Sequence, residues 1–194
     1  MKKKKSKVNI KAIIIFLILA ALIAGYYYYL SNKKGASTEE GDVKSTAVQK
    51  VLMRNMEQNY PPTPKEVIKY YSEITKCFYN EEYTDEELEQ LALRARELYD
   101  DELNINNPYE HYLTELKSDI QEYHDSRCTV SSYSLASSVD IENEKFVQDG
   151  HEWTRVYCQY ILKRAGQTVS TSEVFLLRKD DQGHWKIYGW ELAD

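Results

Sequence analysis

Residues 153–162 read WTRVYCQYIL, and the run alternates. Val156, Cys158, Tyr160 and Leu162 fall on one side. Trp153, Arg155, Tyr157, Gln159 and Ile161 fall on the other. A period of two sends successive side chains to opposite faces, so the stretch predicts a β-strand whose Val156 face looks toward a core. The opposite face is too aromatic for plain solvent. Turn signals flank the run: Asp149-Gly150 before it, Ala165-Gly166 after it, and Asp181-Gln182-Gly183 further on. They divide the C-terminal third into runs at 129–148 (bent), 151–163, 168–178 and 184–192. Consecutive runs joined by short turns predict a curved four-stranded antiparallel meander. SEVFLLRK (172–179) and HWKIYGWEL (184–192) are apolar on both sides, which predicts a sheet covered on both faces. Helices would supply one cover, and a second copy of the chain or another protein the other.

Upstream of Arg127 the period is helical. Val43, Ala47, Val48, Val51, Leu52 and Met56 recur at helical spacing, and YPPTP (60–64) ends that helix. Thr63 then serves as an N-cap, Pro64 suits the first helical position, and Glu66 completes a capping box. The stripe that follows is Val67, Tyr70, Tyr71, Ile74 and Phe78, with Cys77 beside it. Thr84 and Glu87 form a second box before Leu88, Leu91, Ala92, Ala95, Leu98 and Tyr99. Asn107 as cap and Pro108 as first residue open a third run, with Tyr109, Tyr112, Leu113, Leu116, Ile120 and Tyr123 as its stripe. TDEELEQ (84–90) reads as a solvated helix face that also suits the helix dipole. Helices first and strands after predict an α+β domain of three to four helices on the meander.

Charge divides the chain. Residues 1–30 carry six lysines and no acid, whereas residues 31–194 carry 19 basic and 31 acidic residues, a net charge of −12. So acidic a domain repels phosphate backbones, which argues against a nucleic-acid partner. Residues 12–30 hold no charge, and at about 1.5 Å per residue they span about 28 Å, close to the thickness of a bilayer core. Tyr26 to Tyr29 suit the headgroup level, and Lys33 and Lys34 follow. An A-x-A-like cleavage site is poorly met, because Leu22 stands two positions before Ala24. The expectation is an uncleaved transmembrane helix. Lysines before the span place residues 1–11 in the cytoplasm and the rest outside. Residues 31–42 form a flexible linker, and 43–194 an extracytoplasmic domain.

The helices, the meander and the ending FLLRKDDQGHWKIYGWEL (175–192) resemble the NTF2-like superfamily, a cone-shaped α+β fold. Many of its members end in such a hairpin with a tryptophan just after the turn glycine, here Trp185 after Gly183. The chain also resembles a family of single-pass bacterial membrane proteins through its lysine-rich start, YPPTPKEVIKYYSEITKCFY (60–79) and that hairpin. The superfamily includes isomerases, ligand pockets, dimerisation modules and outer domains of secretion channels, so the fold alone implies little about function.

Chemistry-bearing motifs are sparse. Cys77, Cys128 and Cys158 lack metal-ligand spacing and read as buried small side chains, with one bridge left open. His111, His124, His151 and His184 do not pair at ligand spacing, and solvent exposure is expected for all four. No nucleophile elbow or phosphate loop is present. No cofactor or metal is expected. By the superfamily's example, a carboxylate aimed into the cone would come from Glu173, which shares a face with Phe175, or from Glu191, placed with Trp185 and Ile187. Tyr157, Tyr160 and Tyr188 are the candidate donors. The alternative for Glu173 is pairing with Arg155, or a place in solvent. Thirteen tyrosines against three phenylalanines after residue 30 suit interfaces and half-open cavities. The leading expectation is a membrane-anchored, non-enzymatic binding or assembly module. Its partner or ligand residues would be Trp153, Arg155, Tyr157, Gln159, Glu173, Trp185, Tyr188 and Glu191. The alternatives are a sensor with a pocket in the cone and an accessory part of a secretion or conjugation channel.

Overall fold

The computed structural model describes residues 45–193; the span expected at 12–30 and its flanks lie outside the described residues. Among the described residues, no helix is long and apolar enough to cross a membrane. In chain order come α1 (Ala47–Leu52), α2 (Pro64–Asn80), α3 (Asp85–Arg96), α4 (Asp101–Asn106) and α5 (Tyr109–Asp125). Then follow β1 (Cys128–Leu135), α6 (Ser138–Asn143), β2 (Phe146–Gln148), β3 (His151–Arg164), β4 (Gln167–Lys179) and β5 (Trp185–Leu192). The result is an α+β arrangement on one antiparallel sheet.

Local chemistry sets the helix starts. Thr63 caps α2 by accepting from the Glu66 amide at 3.2 Å, and Pro64 begins the helix. Thr84 and Glu87 form the full reciprocal box at α3. A further box, Thr46 with Gln49, opens α1, which begins four residues later than Val43 suggests. The Asn107 reading needs correction. Leu103 and Asn107 close α4, and the Asn107 side chain donates back to the Leu103 carbonyl. Pro108 therefore precedes α5 as its cap residue rather than starting the helix.

The first predicted strand is also revised. Run 129–148 is not one bent strand but β1 and β2, both paired to β3, with α6 between them. Ser137 causes the break: its hydroxyl accepts from the Asp140 amide at 3.2 Å and nucleates a short helix. The other pairings follow the meander, β3 against β4 and β4 against β5.

The core lies between the helices and one face of the sheet. Val67, Ile68 and Ile74 of α2, Leu91 of α3, and Val156, Phe175, Leu177 and Ile187 of the sheet are inaccessible to solvent. Each such side chain contributes about 1.5–3 kcal/mol relative to exposure. The predicted inner face of β3 is correct, since Val156, Cys158 and Tyr160 are buried and Leu162 packs against the same cluster. All three cysteines are buried and unbridged. His111 and His124 are exposed, but His151 and His184 are half-covered, His184 by stacking on Tyr60 at 4.4 Å.

The outer face differs from expectation at Trp153. The chain covers it by itself. Phe146 of β2 stacks on the indole at 6.2 Å, Tyr188 meets it edge-on at 5.0 Å, and its Nε1–H donates to the Gln148 carbonyl. Arg155 lies over the Phe146 ring and pairs with Glu144.

One segment fastens helices to sheet. Residues 98–100, between α3 and α4, add to the edge of β5: the Ile187 amide donates to Leu98 and the Asp100 amide to Ile187, each at 2.8 Å. Asp100 is then buried, caps α4 through the Glu102 amide, and receives two hydrogen bonds from the Arg178 guanidinium. Removing Asp100 leaves Arg178 with Glu102 alone as its acidic partner and uncaps α4. Asp100→Ala is therefore expected to destabilise the fold by about 3 kcal/mol in urea unfolding. The exposed neighbour Asp101→Ala should change it by less than about 0.5 kcal/mol.

Candidate ligand cavity

The inner face of β4 changes character along its length. Leu177 and Phe175 are buried under helices, and then come Glu173, Thr171 and Val169. The polar half is not closed over: α5 packs against β1 and α2, and residues of α5 and β4 line a shared opening. The space left between α2, α5 and the sheet is an open-sided cavity of about 450 Å³. That volume suits a small organic molecule.

Its walls are aromatic. Tyr71, Tyr99 and Trp190 pack with centroids 5.8–6.0 Å apart, and Phe175 supports Tyr71 edge-on at 5.6 Å. Tyr79 of α2 also stacks on Tyr123 of α5 at 4.0 Å. Tyr112 meets Tyr99 edge-on. Burial raises the pKa of each of these tyrosines further above an ordinary value that already keeps a phenol protonated at neutral pH, so their hydroxyls can donate. Tyr160 also lines the cavity, and its hydroxyl bonds to that of Ser72 at 2.8 Å.

Glu173 is the carboxylate on the sheet wall. Among the described residues it makes neither a hydrogen bond nor an ion pair, and burial alone raises its pKa. It lines the same cavity as Tyr71, Tyr79, Tyr123 and Tyr160. On α5, Glu115 and Asp119 add two more acids to the lining. Among the described residues no basic side chain lines the cavity.

The structure separates the residues expected to act together. Glu173 lines the cavity, as its kinship with Phe175 implies. It does not meet Arg155, because β3 pairs Cys158 with Glu173 and Arg155 with Leu176, leaving the two on opposite faces. Glu191 is not with Trp185 and Ile187. Gly189 opposes Leu176 while Ile187 opposes Leu177, so Tyr188 is an extra residue and the parity of β5 flips beyond it. Trp190 consequently turns inward beside Phe175, and Glu191 turns outward beside Val174. Trp185 is buried on the inner face, outside the cavity lining, with Lys145 and Lys179 over its ring. Tyr157 and Gln159 are exposed on the outer face, and Tyr188 there donates to Glu102 at 2.9 Å.

The residue that reading missed is Trp190, and Gly189 was its signal: an isolated glycine inside a strand marks a bulge. The cavity tyrosines were legible as helix stripes, but the gap between α5 and β4 was not.

A family model described as Domain of unknown function (DUF6715) matches residues 1–190, and the chain belongs to that family. A search of curated proteins finds no match to it.

Glu173 binds its proton more tightly folded than unfolded, so its ionisation weakens the fold. Stability from this group is lost as pH rises from the ordinary glutamate range through the raised folded value. Glu173→Gln, which cannot ionise, should therefore melt at a higher temperature than the wild type at pH 7. The difference should shrink as pH falls below the ordinary glutamate range, as thermal denaturation monitored by circular dichroism would show.

Proposed function

We propose that this chain is a non-enzymatic binding module, held at the outer face of a membrane by residues 12–30, which takes up a small molecule between its helices and its sheet. The carrying observation is the aromatic, open-sided cavity of about 450 Å³. Closed cores pack to crystal-like density, and an opening of this size amid large side chains is not a packing residue. We further infer that the domain has the cone-shaped NTF2-like architecture. The support is a bulged antiparallel sheet with helices on its inner face and the cavity between them. The anchor rests on the uncharged run 12–30, the lysines before it and the tyrosines at its end.

Partner binding through the outer face receives less support than pocket binding. Trp153 is covered from within, and the remaining face mixes Tyr157, Val174 and Leu176 with Arg155, Gln159, Ser170 and Ser172.

Two outcomes check the reading. Thr171 lines the cavity, so Thr171→Trp should occupy it. The variant should keep the wild-type circular dichroism spectrum yet lose thermal-shift responses to small molecules that stabilise the wild type. Responses unaffected by the filler would place binding elsewhere. For the anchor, the chain should stay in the membrane pellet through a carbonate wash, and protease added to protoplasts should degrade residues 45–193. A protected domain would reverse the orientation, and a carbonate-extractable chain would remove the anchor.

A further inference from the structure

We propose that the cavity binds a small organic cation, an amine or quaternary ammonium compound, with Glu173 as its counter-charge and the tyrosine and tryptophan rings as its walls. The inference rests on the pocket reading above and names the ligand class.

Three observations converge on it. The first is charge. Glu173, Glu115 and Asp119 line the cavity, and among the described residues no basic side chain does. An anion entering would meet three acids, and a neutral apolar ligand would bury Glu173 further without a partner, which is costly. A cation supplies the partner that the carboxylate lacks.

The second is the wall chemistry. Aromatic faces carry a negative quadrupole and attract cations, tryptophan most strongly. Tyr71, Tyr99 and Trp190 pack as one group, Tyr79 stacks on Tyr123, and Glu173 lines the same cavity as both. Trp190 is among the residues that line the cavity.

The third is a precedent inside the molecule. The cluster already engages one cation at its edge, since the Arg96 guanidinium lies 5.5 Å from the Tyr112 ring centroid and 5.9 Å from that of Tyr109. Arg96 is committed there, donating to the carbonyls of Asn104 and Asn107, and so cannot serve Glu173.

The test compares isosteric pairs on the full-length chain in detergent, by calorimetry and tryptophan fluorescence. Choline is paired with 3,3-dimethyl-1-butanol, and benzyltrimethylammonium with neopentylbenzene; each pair differs by nitrogen against carbon. At least one cation should bind about tenfold or more tighter than its neutral partner. Glu173→Gln should bring that pair to within about threefold. Trp190→Leu, an independent variant in the wall, should weaken the cation more than the neutral compound. Neutral members that bind as tightly in both pairs, or a preference that survives Glu173→Gln, would overturn the inference and leave the pocket reading standing. Failure of all four compounds to bind would overturn the inference. If Thr171→Trp also leaves every small-molecule response unchanged, the pocket reading falls with it.

Discussion

Glu173 stands opposite Cys158 on the inner face of the sheet, two pairs along from Phe175 and Val156, and among the described residues no basic side chain pairs with it. Its position marks where the buried inner face of β4 ends. On one side the sheet carries Phe175, Leu177 and Ile187, and the helices close over them. On the other it carries Thr171 and Val169, and the helices stand off. A carboxylate at that boundary disfavours closure, since collapse would desolvate it further without a partner. The cavity is thus consistent with the residues that line it and does not require poor packing elsewhere.

Two backbone devices frame the opening. The extra residue at Tyr188 rotates the end of β5, so that Trp190 faces inward and Glu191 outward. The segment 98–100, laid along the edge of β5, brings Tyr99 to the cavity wall and Asp100 to Arg178. Arg178 also binds Glu102, which accepts from Tyr188, so the bulge, α4 and β4 are tied by one polar network on the outer side. The network holds the bulge from behind, and Trp190 and Tyr99 meet at 5.8 Å in front of it. Mechanical support and ring placement therefore come from the same few residues.

The class of fold was legible because period and punctuation agree. Thr84 with Glu87, Thr63 with Pro64, and the glycines at 150, 166 and 183 act within a few residues of themselves, and local chemistry survives folding. What failed was local chemistry read one step too far. Asn107 ends one helix rather than starting the next, and Ser137 inserts a helix turn into what reads as a strand. The site was less visible. Parity finds Glu173, because β4 is regular around it, but it misplaces Glu191, because one extra residue reverses every side chain beyond the bulge. The cavity depends on the distance between α5 and β4, a tertiary quantity that neither stripe encodes. Tyrosine abundance was the one compositional trace of it.

The central claim is that a solvent-reachable carboxylate faces aromatic rings without a counter-charge. Carbon-13 labelling of glutamate, with Glu173→Gln to assign the signal, allows the Glu173 carboxyl to be titrated by NMR in the folded domain. The account predicts a midpoint above the ordinary glutamate value, moving downward when an organic cation is added. A midpoint at or below the ordinary value in the ligand-free protein would mean that a cation or full solvation already satisfies Glu173, and would contradict it.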